Sequence, residues 1–290
     1  MMARALAFVL LITGASSSAQ YGGYATGPNP RLIAMQWEHG KAIGEQANEN
    51  VEAPVSVELL DSTSFKFTPA PARTKANLAH FLAQSRAHSP AAAAELQTLF
   101  SQMDVIGEVG REMRSAGLQP HNTADAYAVW WIIAWSAAND RPAPQDDATF
   151  QAVSRQARAA FAATDGLASL PDADKQQFAE ALMVQALLLD SANQQSQGQP
   201  AVRQQLAAQA KRGASEMGLD LTAMTLTPEG FRPREGAALD PAATGEAEER
   251  LAAATTGKAE EGSLATYAAL AAAAGAGLAG AYWLGKGGRG

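Results

Sequence analysis

The stretch between Asp125 and Asp140 constrains this chain more than any other. Ala126–Ala138 is a run of 13 residues without a charge. At about 100° per residue, Tyr127, Val129, Trp130, Trp131, Ile132, Ile133 and Trp135 fall on every side of a helix. A helix that is apolar all round is buried, in a protein core or in lipid. The run is well short of the roughly 20 residues that cross a bilayer, and aspartates close it at both ends. The stretch from His121 to Trp135 therefore reads as the start and body of the central helix of a helical domain, and three of the chain's five tryptophans are spent on it.

Helical periodicity continues on both sides. From Arg73, Leu78, Phe81 and Leu82 share a face; Ser89-Pro90 reads as an N-cap with proline in the first turn, followed by Leu96, Leu99, Phe100 and Met103 at helical spacing. Asp104 caps a third helix carrying Ile106, Val109 and Met113, stopped by Gly117 and Pro120. Asn122 and Asp125 form a capping pair for the central helix. Asp146 and Asp147 start the next, with Phe150, Val153, Ala157 and Phe161 on one stripe. Pro171-Asp172 opens another, with Phe178, Leu182, Gln185 and Leu189 as its stripe, and Val202, Leu206, Ala210 and Met217 mark a last helix closed by Gly218. Leu219, Leu221, Met224, Leu226 and Phe231 form a strap laid back over the bundle. The expected fold is all-α: a compact bundle of about six or seven helices over residues 65–231, with the short loops that bundles favour.

Outside that core the composition changes. Residues 1–19 have a charged start at Arg4, an apolar run from Ala5 to Ile12 and small residues up to Ala19, the order of a secretory signal peptide cleaved before Gln20. Residues 20–64 form a lead-in with scattered Gly and Pro. Within it Val55, Val57 and Leu59 alternate with polar neighbours, and Phe65-Lys66-Phe67 repeats the alternation, so a short hairpin packed on the helices is expected there. Residues 232–262 read as a flexible acidic linker. Residues 264–284 are free of charge, with Tyr267 near one end, Tyr282-Trp283 near the other, and a basic tip of Lys286 and Arg289 over 286–290. Residues 263–285 are thus expected to be a separate C-terminal apolar helix crossing the bacterial inner membrane, its basic tip left in the cytoplasm. The competing reading, an alanine-rich helix packed on a partner or a loose tail, rests on the small transfer energy of Ala and Gly. Gly275, Gly277 and Gly280 would let two such helices approach closely, so a homo-oligomer is a further expectation.

The formal charge is −7, or −8 once Arg4 is removed with a leader. An acidic chain with no basic cluster argues against nucleic-acid binding. The absence of cysteine excludes disulfides, thiolate metal sites and cysteine nucleophiles. There is no nucleophile elbow, Walker loop, dinucleotide fingerprint or EF-hand loop, so no catalytic, cofactor or metal residues are assigned. His80 and His88 are too far apart for a helical zinc pair. The glycines of Gly107–Gly110 fall in a helical pattern, where they permit close packing. Asp172, Asp174 and Glu180 stand singly at helix starts or on solvent faces. The one place where polar and aromatic groups concentrate is His121, Asp125 and Tyr127, the candidate ligand site. A capping role for Asp125 and a core role for the aromatics compete with it.

The segments from Arg73 to Phe81, Asp104 to Gly107, Asn122 to Trp131 and Met217 to Thr227 resemble a family of uncharacterised exported bacterial proteins, known as a domain of unknown function. The Asn-x-Ala-Asp-Ala-Tyr-Ala-x-Trp-Trp stretch is its most specific part. The resemblance covers about residues 65–231, implies a Gram-negative envelope protein, and brings no catalytic residues with it. Together with the two terminal segments it leads to the expectation of a membrane-tethered periplasmic domain that binds an envelope protein or component. An enzyme or small-ligand binder with a site near His121 and Asp125 is the alternative.

Overall fold

The computed structural model describes residues 41–49, 51, 65–164 and 166–234. Helical residues 41–49 (α1) are followed by α2 (Pro71–His88), α3 (Pro90–Gln102), α4 (Val105–Ser115), α5 (Thr123–Ala138), α6 (Asp147–Ala163), α7 (Asp172–Gln195) and α8 (Pro200–Glu216). Two short strands, β1 (Met224–Thr227) and β2 (Gly230–Pro233), close the described chain. The fold is all-α around the Trp-rich helix, with seven helices between Pro71 and Glu216. The signal-peptide segment, the upstream half of the expected hairpin and the C-terminal apolar run all lie outside the described residues. Among the described residues no helix is long and apolar enough to cross a membrane.

The starts of the helices follow from local chemistry. Ser89, Asp104, Asn122 and Asp146 each accept a backbone N–H from the first turn of the helix they precede, which satisfies donors no helical carbonyl can reach. At α5 the accounting is complete. Asn122 Oδ1 takes Ala124 N at 3.0 Å and Asp125 N at 3.3 Å, and Thr123 N donates to Phe65 O at 3.0 Å.

The helix ends are as specific. At the end of α8, Leu219 N bonds Ala214 O and Gly218 N bonds Ser215 O, both at 2.9 Å. This double closure needs a left-handed residue, supplied by Gly218 at φ +72°. The same closure ends α5, with Arg141 N on Ser136 O at 2.8 Å. There the left-handed residue is Asp140 at φ 56°, whose carboxylate pairs with Arg203.

Helix α5 is enclosed by α6, α7 and α8, and that is why its apolar side chains need no solvent face. Trp131 is fully buried and Trp130 nearly so, while Trp135 is half-buried. The strap predicted after Gly218 is there, and it is an antiparallel hairpin in which Leu226 faces Phe231 and Thr227 faces Gly230. Phe231 stacks on Trp131 with centroids 4.4 Å apart. Trp131 Nε1 donates to Met224 Sδ at 3.2 Å, and Trp135 Nε1 to Met224 O at 3.1 Å. Trp131 and Trp135 thus both hold the hairpin, at Met224 and Phe231, while Trp130 lies against Tyr127.

Three boundaries differ from the sequence reading. Residues 41–49, assigned to the lead-in, are helical, with Ile43 and Ala47 fully buried. Gly44 lies inside this helix, where it lets the chain pack close on the end of α8: a Cβ there would sit 1.9 Å from Met217 O. Phe65 and Phe67 are buried, and Lys66 bridges to Asn122 at the head of α5. The domain also runs past 231: Arg234 N bonds Ala223 O at 2.7 Å, so the start of the expected linker belongs to the hairpin.

Candidate functional site

The three residues His121, Asp125 and Tyr127 share the head of α5 but diverge in space. His121 is exposed and its ring lies against Phe67, centroids 5.7 Å apart. Tyr127 is fully buried among Trp130, Trp131 and Phe161. Its hydroxyl has no hydrogen-bond partner among the described residues, and burial holds the phenol far above its ordinary pKa. Asp125 points between the two, toward α6.

The capping role expected for Asp125 is taken by Asn122 alone. Asp125 is 0 % exposed and its carboxylate is encircled. Oδ1 accepts Ser154 Oγ at 2.7 Å, Arg158 Nε at 3.0 Å and Arg158 Nη2 at 2.8 Å; Oδ2 accepts Arg158 Nη2 at 2.9 Å and Gln119 N at 2.9 Å. A buried carboxylate is tolerated when it is paired and hydrogen-bonded. Both oxygens are occupied here, and no open coordination or proton-transfer position is left while the pair is closed. The sequence reading missed Arg158 and Ser154, which lie on another helix.

A second polar cluster joins α2 to α7. Glu180, expected at a helix start or on a solvent face, is only 4 % exposed. It accepts Thr74 Oγ1 and Asn77 Nδ2, each at 2.6 Å, and Gln176 Nε2 at 2.9 Å. One turn earlier the Gln176 amide grips backbone: its Oε1 accepts Ala70 N and its Nε2 donates to Ala70 O, both at 3.1 Å. Gln156 on α6 does the same to β2, taking Phe231 N and donating to Phe231 O, both at 2.8 Å.

Beside Glu180 a groove opens between the two helices, lined by Asn77, His80, Gln84, Gln177, Glu180 and Gln185 over a floor that includes Phe81 and Val184. Its volume is about 30 Å³, room for one water-sized group and an order of magnitude below a small-molecule pocket. Burial lowers the pKa of His80, so its ring is neutral near pH 7, and it shares a 3.0 Å hydrogen bond with the Gln84 amide. Gln185 was legible as the polar member of an otherwise apolar stripe. It is 6 % exposed and makes no hydrogen bond among the described residues.

Among the described residues no group of three or more His, Asp or Glu side chains is placed to share a metal ion. Gly275, Gly277 and Gly280 lie outside the described residues. No curated protein and no solved structure matches the chain. A family model does, over residues 38–234, a span that takes in α1 through β2. The chain belongs to that family, DUF6683, a family of unknown function.

Proposed function

We propose that this protein is an exported envelope protein whose helical domain stands in the periplasm, tethered to the inner membrane by residues 264–284, and acts by binding a protein or another envelope component. The observation that carries the reading is the flanking of one folded domain by a leader-like segment at residues 1–19 and a charge-free run with a basic tip at the other end. The interior of the domain favours binding over chemistry. Its two most buried carboxylates, Asp125 and Glu180, are committed to internal hydrogen bonds, and the α2–α7 groove holds no more than a small group. Gly275, Gly277 and Gly280 would supply a face for two tethers to pair.

The test is fractionation of cells expressing the full chain. The protein should stay with the membrane after an alkaline carbonate wash, and in spheroplasts external protease should digest the domain. Release as soluble material, or protection from protease until the inner membrane is lysed, would overturn the assignment.

A further inference from the structure

The two most buried carboxylates of the domain differ in one respect. Asp125 is met by the guanidinium of Arg158. Glu180, 4 % exposed, is met only by neutral donors: the Thr74 hydroxyl and the amides of Asn77 and Gln176. None of the ion pairs among the described residues includes it. Neutral donors fill the lone pairs of a carboxylate but leave its net charge in place, and a buried charge is costly unless it is both hydrogen-bonded and paired. All three partners donate, an arrangement that fits a carboxylate accepting at both oxygens. A glutamine would turn an NH2 group against one side of it.

The groove that opens beside Glu180 gathers carbonyl oxygens. Asn77 spends its Nδ2 on Glu180 at 2.6 Å, and Gln84 its Nε2 on His80 at 3.0 Å. The end of each amide not engaged inside the domain is therefore the carbonyl, and both residues line the groove. Burial keeps the His80 ring neutral near pH 7, so the lining carries one negative charge and no positive one. Its volume, about 30 Å³, suits one water-sized body. A dehydrated potassium or ammonium ion is of that size, and carbonyl oxygens replace the hydration shell of such an ion. A divalent ion matches less well. It would leave surplus positive charge against the single carboxylate, and no group of three or more His, Asp or Glu side chains is placed to share a metal among the described residues.

We propose that the α2–α7 groove is a binding site for one water-sized monovalent cation, an alkali-metal or ammonium ion, held by Glu180 together with the carbonyl oxygens of Asn77 and Gln84. The ion gives Glu180 the counter-charge that Arg158 gives Asp125, and it reinforces the clamp by which Thr74 and Asn77 hold α2 to α7. The site does not depend on where the protein resides or on whether it is tethered.

Thermal unfolding of the full chain in mild detergent tests it. Potassium, sodium and ammonium chlorides are compared with choline chloride, whose cation is too large for the groove, at one fixed ionic strength. At least one of the three small cations should raise Tm saturably above choline, by about 3–6 °C at ten times its Kd. The rise should vanish in Glu180→Gln and persist in Glu112→Gln, a change on the exposed face of α4. Equal Tm in all four salts, the same rise in Glu180→Gln, or a rise produced by magnesium chloride alone would overturn the proposal. Should Glu180→Gln fail to fold, crystals of the full chain soaked in thallium(I) acetate decide the matter. One thallium ion between Asn77, Gln84 and Glu180 is the expected result, and none there overturns the site.

Discussion

Replacing Arg158 by methionine leaves the Asp125 carboxylate fully buried with only Ser154 and the Gln119 amide as donors. Breaking a buried ion pair from one side costs about 3–5 kcal/mol, because the remaining charge is stranded. For a domain of this size that is a fall of roughly 6–20 °C in Tm, at about 2–4 °C per kcal/mol. The reverse change, Asp125→Asn, is milder. Arg158 keeps 21 % of its side-chain surface exposed and can turn its head group to water, and the asparagine still accepts from Ser154. A cost of about 2 kcal/mol follows, the worth of one charge-assisted contact. In the double variant no charge is stranded, so it should be no less stable than Arg158→Met alone, a coupling of about 2 kcal/mol in the double-mutant cycle. Urea unfolding of the four proteins by linear extrapolation measures all of these. Costs that add to within about 0.5 kcal/mol would refute the claim that the two side chains act as one buried unit.

Three further outcomes follow from single positions. Asp190 is pushed up to about 6 by burial, with the Gln194 amide bonded to Oδ2 as a smaller opposing influence. Its folded pKa lies above its unfolded value, so its contribution makes the protein less stable as pH rises from about 4 to 6. Asp190→Asn should therefore stabilise by up to about 3 kcal/mol at pH 7 and by almost nothing below pH 4, and a gain that does not change with pH would contradict this. Tyr127→Phe removes a hydroxyl with no partner from an aromatic core, and should stabilise by about 1 kcal/mol; a loss in thermal unfolding would show that the hydroxyl is engaged. Gly44→Ala places a methyl against Met217 O, with a cost of about 1–3 kcal/mol. Amide exchange over residues 41–49 should speed up more than in α5, and unchanged protection of α1 would refute the docking.

What could be read from the sequence divides along physical lines. Features decided within one turn of chain were legible: the caps at Ser89, Asp104, Asn122 and Asp146, the stop at Gly218, and the central helix between its aspartates. Burial of the apolar stripes followed from their period, including Phe178, Leu182 and Leu189 on α7. Features decided by a distant partner were not. Asp125 stands three residues after a capping asparagine, so the local explanation was sufficient and wrong; its real partner is 33 residues away. The helix over residues 41–49 stayed hidden in the lead-in for the same reason: what orders it is a distant backbone, that of Met217, brought against Gly44. The hairpin was hidden for another reason. Its strands are four residues each, so the alternation of Met224-Thr225-Leu226-Thr227 is too short to stand out, and its turn is Pro228-Glu229 rather than an Asn-Gly pair.

The candidate groove shows where the legible and the illegible meet. Glu180 and Gln185 lie five residues apart on α7, and in sequence both are polar residues in a helix rich in Leu and Ala. Only Gln185 sits on the apolar stripe, three residues after Leu182 and four before Leu189, so its burial could be foreseen. Glu180 could not be placed, because what draws it inward is Thr74 and Asn77 on α2, at sequence separations above a hundred. Once α2 is docked by that clamp, the flank beyond it is fixed, and Gln185 is enclosed without a hydrogen bond from the helix that encloses it. Its amide atoms are not among the buried polar atoms left without a partner, so the head group reaches the water of the groove, and a glutamine is tolerated on a stripe that Leu182 and Leu189 otherwise keep apolar.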